Sequence, residues 1–261
     1  MVDVPDVHCH LDQVEDPEGA VDEALAAGVR PIVALGMRRA SSERCLRLRE
    51  LYPTDVLVGV GLHPSEIPAL DDAGLEAELA FVRETLPMAD VLGEVGLDYR
   101  DAQDEAQQER QRHALTLQLA WAESGRKPVN AHCRRAERDI VEFATSFVRR
   151  TDLGWNLHWF THSKKLAREC STHGIFISPG PSILHSPMQA EVAALVDDAF
   201  VLVETDSPVV FEGRPARPAW ARRVAEHLAT LRGTAVEALA AQLQSNLQRY
   251  LKPDEGVRHR T

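Results

Sequence analysis

Short apolar runs alternate with longer amphipathic stretches along the chain, and this alternation is the main structural signal in the sequence. Eight runs have the length and composition of buried strands: residues 6–10, 29–35, 56–61, 91–95, 129–132, 153–160, 175–178 and 200–204. The helical stretches between them include residues 17–27, 41–51, 75–86, 103–124, 136–149 and 164–173. Because parallel strands need a crossover of about a dozen residues or more, this order predicts a parallel sheet.

The number of units and the length of the chain favour a closed barrel. Eight strand–helix units in 261 residues match an α/β fold of the (β/α)8 TIM-barrel class, which commonly takes about 250 residues. An open, doubly wound sheet is the alternative that the pattern leaves. No long Gly/Ser linker, low-complexity tract or short repeat divides the chain, so we expect a single domain spanning residues 1–261.

Polar residues at the ends of the predicted strands indicate a site at one rim of this barrel. His8 and His10 are two residues apart in the first run, so the alternation of a strand places both imidazoles on one side. In a parallel barrel the C-terminal ends of all strands meet at the rim where the active sites of this fold lie. The residues that we expect around this common cavity are His8, His10, Glu94, His132, His158 and Asp206.

This set of donors is typical of a metal centre. Four imidazoles and two carboxylates exceed what one tetrahedral ion needs, and they suit a two-metal centre with a bridging carboxylate. A mixed set of nitrogen and oxygen donors leaves zinc, manganese and magnesium open as the two divalent ions. Any one of these histidines, taken alone, is more typical of a capping or supporting group than of a metal ligand.

Five motifs stand in an order that resembles a known family. They are DVHCHLD at 6–12, GLHP at 61–64, GEVGLDY at 93–99, HCRRA at 132–136 and ETDSP at 204–208. Together they resemble the TatD family of metal-dependent deoxyribonucleases, within the amidohydrolase superfamily, over nearly the whole chain. The resemblance implies a distorted TIM barrel and hydrolysis of DNA with the help of metal ions.

The resemblance also implies which residues bind each of the two metal ions. It implies that one metal is held by His8, His10 and Asp206, that the other is held by His132 and His158, and that Glu94 bridges the two. His63 matches a family position near the substrate phosphate, although a histidine that anchors its own loop is an equally good interpretation.

The sequence departs from the family pattern after the sixth predicted strand. Residues 158–162 read HWFTH, where the family usually has HCFTG, so the imidazole is kept and the glycine is lost. The HWF block and SPGPSIL at 178–184 look more like the TatD-like proteins of Qat anti-phage defence cassettes. This second resemblance implies a role in antiviral defence, with other proteins of a defence complex as partners.

Four residues are candidates for catalysis and substrate binding. Asp206, at the last strand end, is our candidate for holding the attacking water and accepting its proton, with Glu94 as the other catalytic carboxylate. Arg134 and Arg135 follow His132 where a helix is predicted to begin, a position that suits an anionic substrate. The alternative is that both arginines form part of a solvated face.

Charge and cysteine content limit the partners and the cellular compartment that we expect. The chain has 29 Lys and Arg against 40 Asp and Glu, a net charge of −11, which argues against binding duplex DNA over a wide basic face. The four cysteines form no CxxC pair, no signal peptide is recognisable, and no apolar run approaches the roughly 20 residues that span a bilayer. We therefore expect a cytoplasmic protein with free thiols and no membrane partner.

These observations predict a hydrolase that cleaves phosphodiester bonds. The leading hypothesis is a metal-dependent 3′→5′ exodeoxyribonuclease acting on single-stranded DNA ends. A metal-dependent hydrolase of an ester or amide, such as an aminoacyl-tRNA or a small molecule, is an alternative because the same chemistry attacks a carbonyl carbon. A third hypothesis is a partner-binding subunit that has lost its chemistry.

Overall fold

The protein forms the predicted parallel barrel. In this computed structural model, residues 2–160 and 163–251 are described. Seven parallel strands lie side by side in chain order. They are β1 (Val4–Cys9), β2 (Val29–Leu35), β3 (Val56–Val60), β4 (Val91–Asp98), β5 (Val129–Arg134), β6 (Trp155–His158) and β7 (Phe176–Ser178).

The eighth predicted strand, residues 200–204, is irregular. Only Val201 pairs as a strand residue, in a parallel bridge with Ile177. Residues 200–206, which we call the closing segment, still bond to both neighbours: Leu202 N donates to Ile177 O at 2.9 Å, and Val7 N donates to Val203 O at 3.1 Å. The segment therefore closes the barrel between β7 and β1, but it divides its hydrogen bonds between them and forms no continuous ladder.

The sixth strand is also shorter than predicted. The apolar pattern extends over residues 153–160, whereas β6 ends at His158. Trp159 has φ of +48°, a left-handed conformation that no strand residue adopts, so the chain turns immediately after the imidazole.

Helices cover the outside of the barrel. The six predicted helices are confirmed with ends shifted by at most three residues, and further helices follow β7. Their bounds are α1 (Pro17–Ala26), α2 (Arg39–Leu51), α3 (Asp72–Thr85), α4 (Glu105–Gly125), α5 (Glu137–Thr151), α6 (Lys164–Thr172), α7 (Pro187–Leu195), α8 (Ala221–Arg232) and α9 (Val236–Leu251). A short hairpin, β8 (Val210–Phe211) and β9 (Arg214–Pro215), lies between the closing segment and α8.

Local sequence explains where several helices begin. The side chains of Asp16, Asp71, Asp104, Ser163 and Ser186 each accept a hydrogen bond from a backbone N–H in the first turn of the helix that follows. Such caps satisfy donors that the helix itself cannot pair. None of the helices in residues 2–160 and 163–251 is long and apolar enough to cross a membrane.

The N-terminal end of the barrel interior is apolar, and this leaves the opposite end for the site. Val33, Val91, Phe176 and Leu202 form one buried cluster with Tyr250 of α9. The last turn of α9 lies so close to the chain before β6 that a Cβ on Gly154 would lie 2.2 Å from the carbonyl oxygen of Tyr250. Helix α9 therefore packs tightly against this end of the barrel, which leaves the C-terminal ends of the strands for the site.

Candidate metal centre

The structure brings the six predicted donors together at the C-terminal rim. The histidines and the glutamate come from β1, β4, β5 and β6, or from the residue after the strand, and Asp206 ends the closing segment. Five of the side chains are buried or nearly so, and His132 is partly exposed: the set is His8, His10, Glu94, His132, His158 and Asp206. All of them except His8 line a cavity of about 520 Å³ that opens to solvent.

Glu94 lies at the centre of this group, and its two oxygens face different histidines. Oε2 is 3.5 Å from Nε2 of His8 and 3.2 Å from Nε2 of His10. Oε1 is 3.1 Å from Nδ1 of His132 and 3.1 Å from Nε2 of His158. One carboxylate thus joins two pairs of imidazoles, an arrangement that suits a carboxylate shared by two metal ions.

Asp206 joins the first of these pairs. Its Oδ1 lies 3.7 Å from Nε2 of His8 and 3.5 Å from Nε2 of His10. The backbone N–H of Asp206 donates to the carbonyl of His8 at 2.9 Å, which fixes the end of the closing segment against β1. The donors therefore fall into the two sets that the family resemblance implies.

Hydrogen bonds on the far side of each ring fix which nitrogen of the β1 histidines faces the centre. Nδ1 of His8 lies 2.8 Å from Oδ1 of Asn130, whose amide N–H donates to the carbonyl of Val7 at 2.8 Å. Nδ1 of His10 lies 3.1 Å from the carbonyl oxygen of Leu35. Because both partners are acceptors, each Nδ1 carries a hydrogen, so in the neutral ring Nε2 is the nitrogen that presents a lone pair to the centre.

The second pair is fixed by carboxylates. Nδ1 of His158 lies 3.2 Å from Oε1 of Glu204, whose other oxygen accepts a hydrogen bond from Ser178. In His132 the two ring nitrogens have the opposite roles. Its Nε2 lies 3.0 Å from Oδ2 of Asp98, so its Nδ1 presents the lone pair. Since both oxygens of Glu204 already have partners, we interpret it as a residue that orients His158 and not as a metal ligand.

Two unpaired buried atoms show that the centre fits a cation. Nε2 of His8 and Oε2 of Glu94 have no hydrogen-bond partner and face each other at 3.5 Å. A lone pair on each atom makes this approach unfavourable unless a positive charge lies near both. Divalent metal ions take imidazole nitrogen and carboxylate oxygen as ligands, so the residues present fit such an ion.

The charges within the centre favour a bound cation. Burial opposes ionisation of Glu94, but the surrounding His63, His8 and His158 outweigh it and hold the pKa of this carboxyl well below its usual value. Burial likewise lowers the pKa of His10, but the carboxylates of Asp206 and Glu94 beside its Nε2 outweigh it and raise that pKa well above its usual value. A metal ion that binds there would take the place of this proton. The site therefore attracts positive charge.

His63 lies beside the centre but presents a hydrogen and not a lone pair. Its Nδ1 accepts a hydrogen bond from the backbone N–H of Ser65 at 3.1 Å, so the neutral ring carries its hydrogen on Nε2. That Nε2 lies 3.2 Å from Oε1 of Glu94. Burial lowers the pKa of His63, which favours the neutral form. His63 is therefore a fixed hydrogen-bond donor in the cavity wall.

The two predicted arginines lie in different surroundings. Arg134 lines the cavity, and its Nη1 lies 3.8 Å from Oδ2 of Asp98. Arg135 is exposed and does not line the cavity, because its backbone has φ of +58° and turns away from β5. Helix α5 begins only at Glu137, so its first turn carries acidic side chains instead of a free anion site.

Several supporting residues were not predicted. Asn130 and Asp98 orient His8 and His132, and the signal for Asn130 is its position two residues before His132, on the same face of β5. Gln111 of α4 accepts from the N–H of Asp98 at 2.8 Å, a buried contact for which the sequence carries no signal. Thr161 and His162, part of the HWFTH motif, lie outside the described residues.

Comparison with known proteins places this arrangement in a family. The sequence model of the family described as TatD related DNase matches residues 5–252. The chain belongs to the TatD family. Its relatives include the metal-dependent hydrolase YjjV of Escherichia coli K12, 32% identical over 253 residues that cover 92% of this chain and 95% of YjjV. Deoxyribonuclease TATDN3 of Homo sapiens is 29% identical over 271 residues that cover 99% of this chain and 97% of TATDN3.

A solved structure of another TatD family member has the same fold. The crystal structure of YjjV matches this TatD family chain with a TM-score of 0.83 at 31% identity, covering 95% of this chain and 97% of YjjV. The predicted single-domain barrel is thereby confirmed, and the chain is a TatD family metal-dependent hydrolase.

Proposed function

We propose that this protein is a 3′→5′ exodeoxyribonuclease that removes nucleotides from single-stranded DNA ends with the help of two divalent metal ions. The observation that carries the proposal is the position of Glu94, whose two oxygens face two separate pairs of imidazoles. The name of the human relative, a deoxyribonuclease, supports DNA as the substrate.

Six residues of the chain would hold the metal ions. One set is His8, His10 and Asp206, the other is His132 and His158, and Glu94 is shared by both. When bound, divalent ions neutralise phosphate oxygens and lower the pKa of a water at the site to about 7. Zinc, manganese and magnesium all accept this mixed set of donors.

Three side chains then act on the substrate. Burial disfavours ionisation of Asp206, but the neighbouring His10, His158 and His8 outweigh it and lower the pKa of its carboxyl, so Asp206 is ionised. Its position beside the first set of imidazoles is what makes it the candidate to accept the proton of the attacking water. Nε2–H of His63 donates to a phosphate oxygen. The guanidinium of Arg134, at the cavity wall, binds the same phosphate or its neighbour.

The size of the cavity supports a strand end as the substrate. A volume of about 520 Å³ lies within the range of pockets that bind a single small ligand, roughly 300–1,000 Å³. The cavity therefore accommodates a terminal nucleotide with its phosphate and excludes a duplex. A frayed or single-stranded end reaches the metal centre, whereas an internal linkage of duplex DNA does not.

The decisive experiment uses protein stripped of metal and then resupplied with Mg²⁺, Mn²⁺ or Zn²⁺. We expect it to degrade single-stranded DNA labelled at its 5′ end, releasing 5′-mononucleotides and leaving a ladder of shortened strands. His8→Ala and Glu94→Ala are expected to abolish this activity and to lower the metal content of the purified protein, because each removes a proposed ligand.

His113→Ala and Glu76→Ala are the matched controls, since both residues are exposed on outer helices, and both variants should retain activity and metal. Cleavage retained in both site variants, or hydrolysis of esters with no cleavage of DNA, would overturn the proposal.

A role in anti-phage defence extends the proposal. It is supported by the likeness of residues 158–160 and 178–184 to TatD-like proteins of Qat cassettes, and it places the protein in the cytoplasm with cassette proteins as partners. Co-purification with the products of neighbouring genes tests it. An active protein that remains a solitary monomer in the cell extract would count against it.

A further inference from the structure

The cavity is lined by two chemically different sets of residues. One set consists of the metal centre together with His63 and Arg134, which suit an anion. The other set is apolar and consists of Met37, Trp159 and Val209. A ligand that uses both sets has a negatively charged part and a flat or apolar part.

Trp159 is held in place by three contacts. Its backbone N–H donates to the carbonyl of Ser178 at 2.9 Å, and its indole Nε1–H donates to Oε1 of Gln189 at 3.2 Å. The ring packs against Phe211 of β8 with 5.3 Å between the ring centroids and 45° between the planes. These contacts hold the indole in place, and it remains partly exposed where it lines the cavity.

The backbone of Trp159 indicates that this position is not simple core packing. Its φ of +48° is rare for a bulky side chain, and such strained conformations persist where the surroundings enforce them, often at ligand sites. The residue also stands where the TatD family usually has a cysteine, so the aromatic side chain departs from the common pattern of the family.

We propose that the indole of Trp159 is a stacking subsite for the base of the terminal nucleotide. This inference rests on the proposed nuclease function, because it assigns the part of the substrate that lies beyond the phosphate. Stacking of a base on an aromatic ring tolerates every base, since all four have a π face. The subsite therefore binds any terminal nucleotide and binds an end that lacks a base more weakly.

Binding of small ligands to the metal-loaded protein tests the subsite without any cleavage. The probes are dTMP and dAMP, compared with 2-deoxyribose 5-phosphate, which has the same sugar and phosphate but no base. We expect isothermal titration to give a dissociation constant about 5- to 150-fold lower for the nucleotides, the usual effect of one base–aromatic stack.

Variants of the indole localise the effect. Trp159→Ala should remove the difference between the nucleotides and deoxyribose phosphate, and Trp159→Phe should keep part of it. Trp220→Ala, which removes a partly exposed indole next to α8, is the matched control and should keep the full difference. If Trp159→Ala does not fold, the wild-type comparison and Trp159→Phe still decide the question.

A cleavage assay separates this inference from the proposed function. Strands that end in a 3′ thymidine are compared with strands that end in a tetrahydrofuran abasic residue. Trp159→Ala should raise KM for the first and leave KM for the second unchanged. Wild-type protein that cuts no DNA would refute the nuclease but not the subsite. Equal binding of nucleotides and deoxyribose phosphate, or an unchanged preference in Trp159→Ala, would refute the subsite.

Discussion

At the scale of single residues, the position of each ring hydrogen decides what a histidine can bind. His8, His10 and His158 donate through Nδ1 and present Nε2, whereas His132 donates through Nε2 to Asp98 and presents Nδ1. His63 accepts at Nδ1 and is left with a donor. The neighbours of each histidine therefore decide whether it presents a lone pair to a metal ion, as four of them do, or an N–H, as His63 does.

Asp98→Asn is expected to change which ring nitrogen of His132 carries the hydrogen. Oδ1 of Asp98 accepts from the N–H groups of Arg100 at 2.9 Å and Asp101 at 3.2 Å, so an asparagine keeps its oxygen there and turns its NH2 towards His132. Two donors then meet, and the ring hydrogen moves to Nδ1. We expect the affinity for the second metal ion to fall about 10- to 100-fold in a metal titration.

The control for this substitution is Asp72→Asn, which changes an exposed carboxylate of α3 that pairs with Arg110. Its metal isotherm should match that of the wild type. If Asp98→Asn gives the same isotherm as well, Asp98 does not set the ring hydrogen of His132.

The sequence predicts the candidate metal-ligating side chains better than the residues that orient them. Strand alternation and the strand ends are enough to bring His8, His10 and the carboxylates to one rim. Asn130 acts across the barrel on a strand that is not its neighbour, and Gln111 acts from a helix, so neither contact follows from local periodicity. Such contacts depend on the tertiary fold.

At the scale of elements, α9 holds the irregular part of the barrel in place. The side-chain amide of Asn246 donates to the carbonyls of Val201 at 2.7 Å and Asp198 at 2.8 Å. These bonds satisfy carbonyl oxygens that a regular eighth strand would pair with its neighbours. An apolar run predicts a strand at 200–204, but it carries no information about which partner receives each bond, and this is why the element differs from the prediction.

Gly154→Ala is expected to destabilise the packing of α9. A Cβ at this position would lie 2.2 Å from the backbone oxygen of Tyr250, so the helix must shift. We expect a loss of about 1–3 kcal/mol in the free energy of unfolding. For a chain of this size, thermal denaturation should show a melting temperature lower by about 2–4 °C for each kcal/mol.

Gly125→Ala provides the comparison, because the nearest atom to its Cβ would be Cγ of Lys127 at an ordinary 3.6 Å. Its melting temperature should stay level or rise, since alanine favours a helix. A melting temperature of Gly154→Ala as high as that of Gly125→Ala would show that contact with α9 does not constrain position 154.

At the scale of the whole molecule, an acidic chain has one small site that would bind an anion. The net charge is −11 and the centre itself attracts cations, so the positive charge that would meet a phosphate comes from the metal ions held there and from Arg134, a permanent cation among the described residues of the cavity wall. The acidic exterior therefore limits the contact with DNA to the few nucleotides that enter the cavity.

This distribution of charge predicts a shallow dependence on salt. Each phosphate neutralised on a single strand contributes about −0.7 to the slope of log K against log salt. We expect kcat/KM to fall with KCl at a slope between about −1 and −2, and Arg134→Ala to reduce that slope by about 0.7. Arg47→Ala, on the exposed face of α2, should leave it unchanged. A slope steeper than about −4 would indicate a wide basic footprint.

The cavity of about 520 Å³ at the metal centre also bears on how the proposed exonuclease would proceed along a strand. An exonuclease that stays on its substrate needs a second binding site for the strand, so that the shortened strand advances without leaving. If the terminal nucleotide and its phosphate supply the attachment, as proposed, the cut removes both. Each turnover would then end in release, and we expect distributive digestion, in which all strands of a population shorten together instead of one strand at a time.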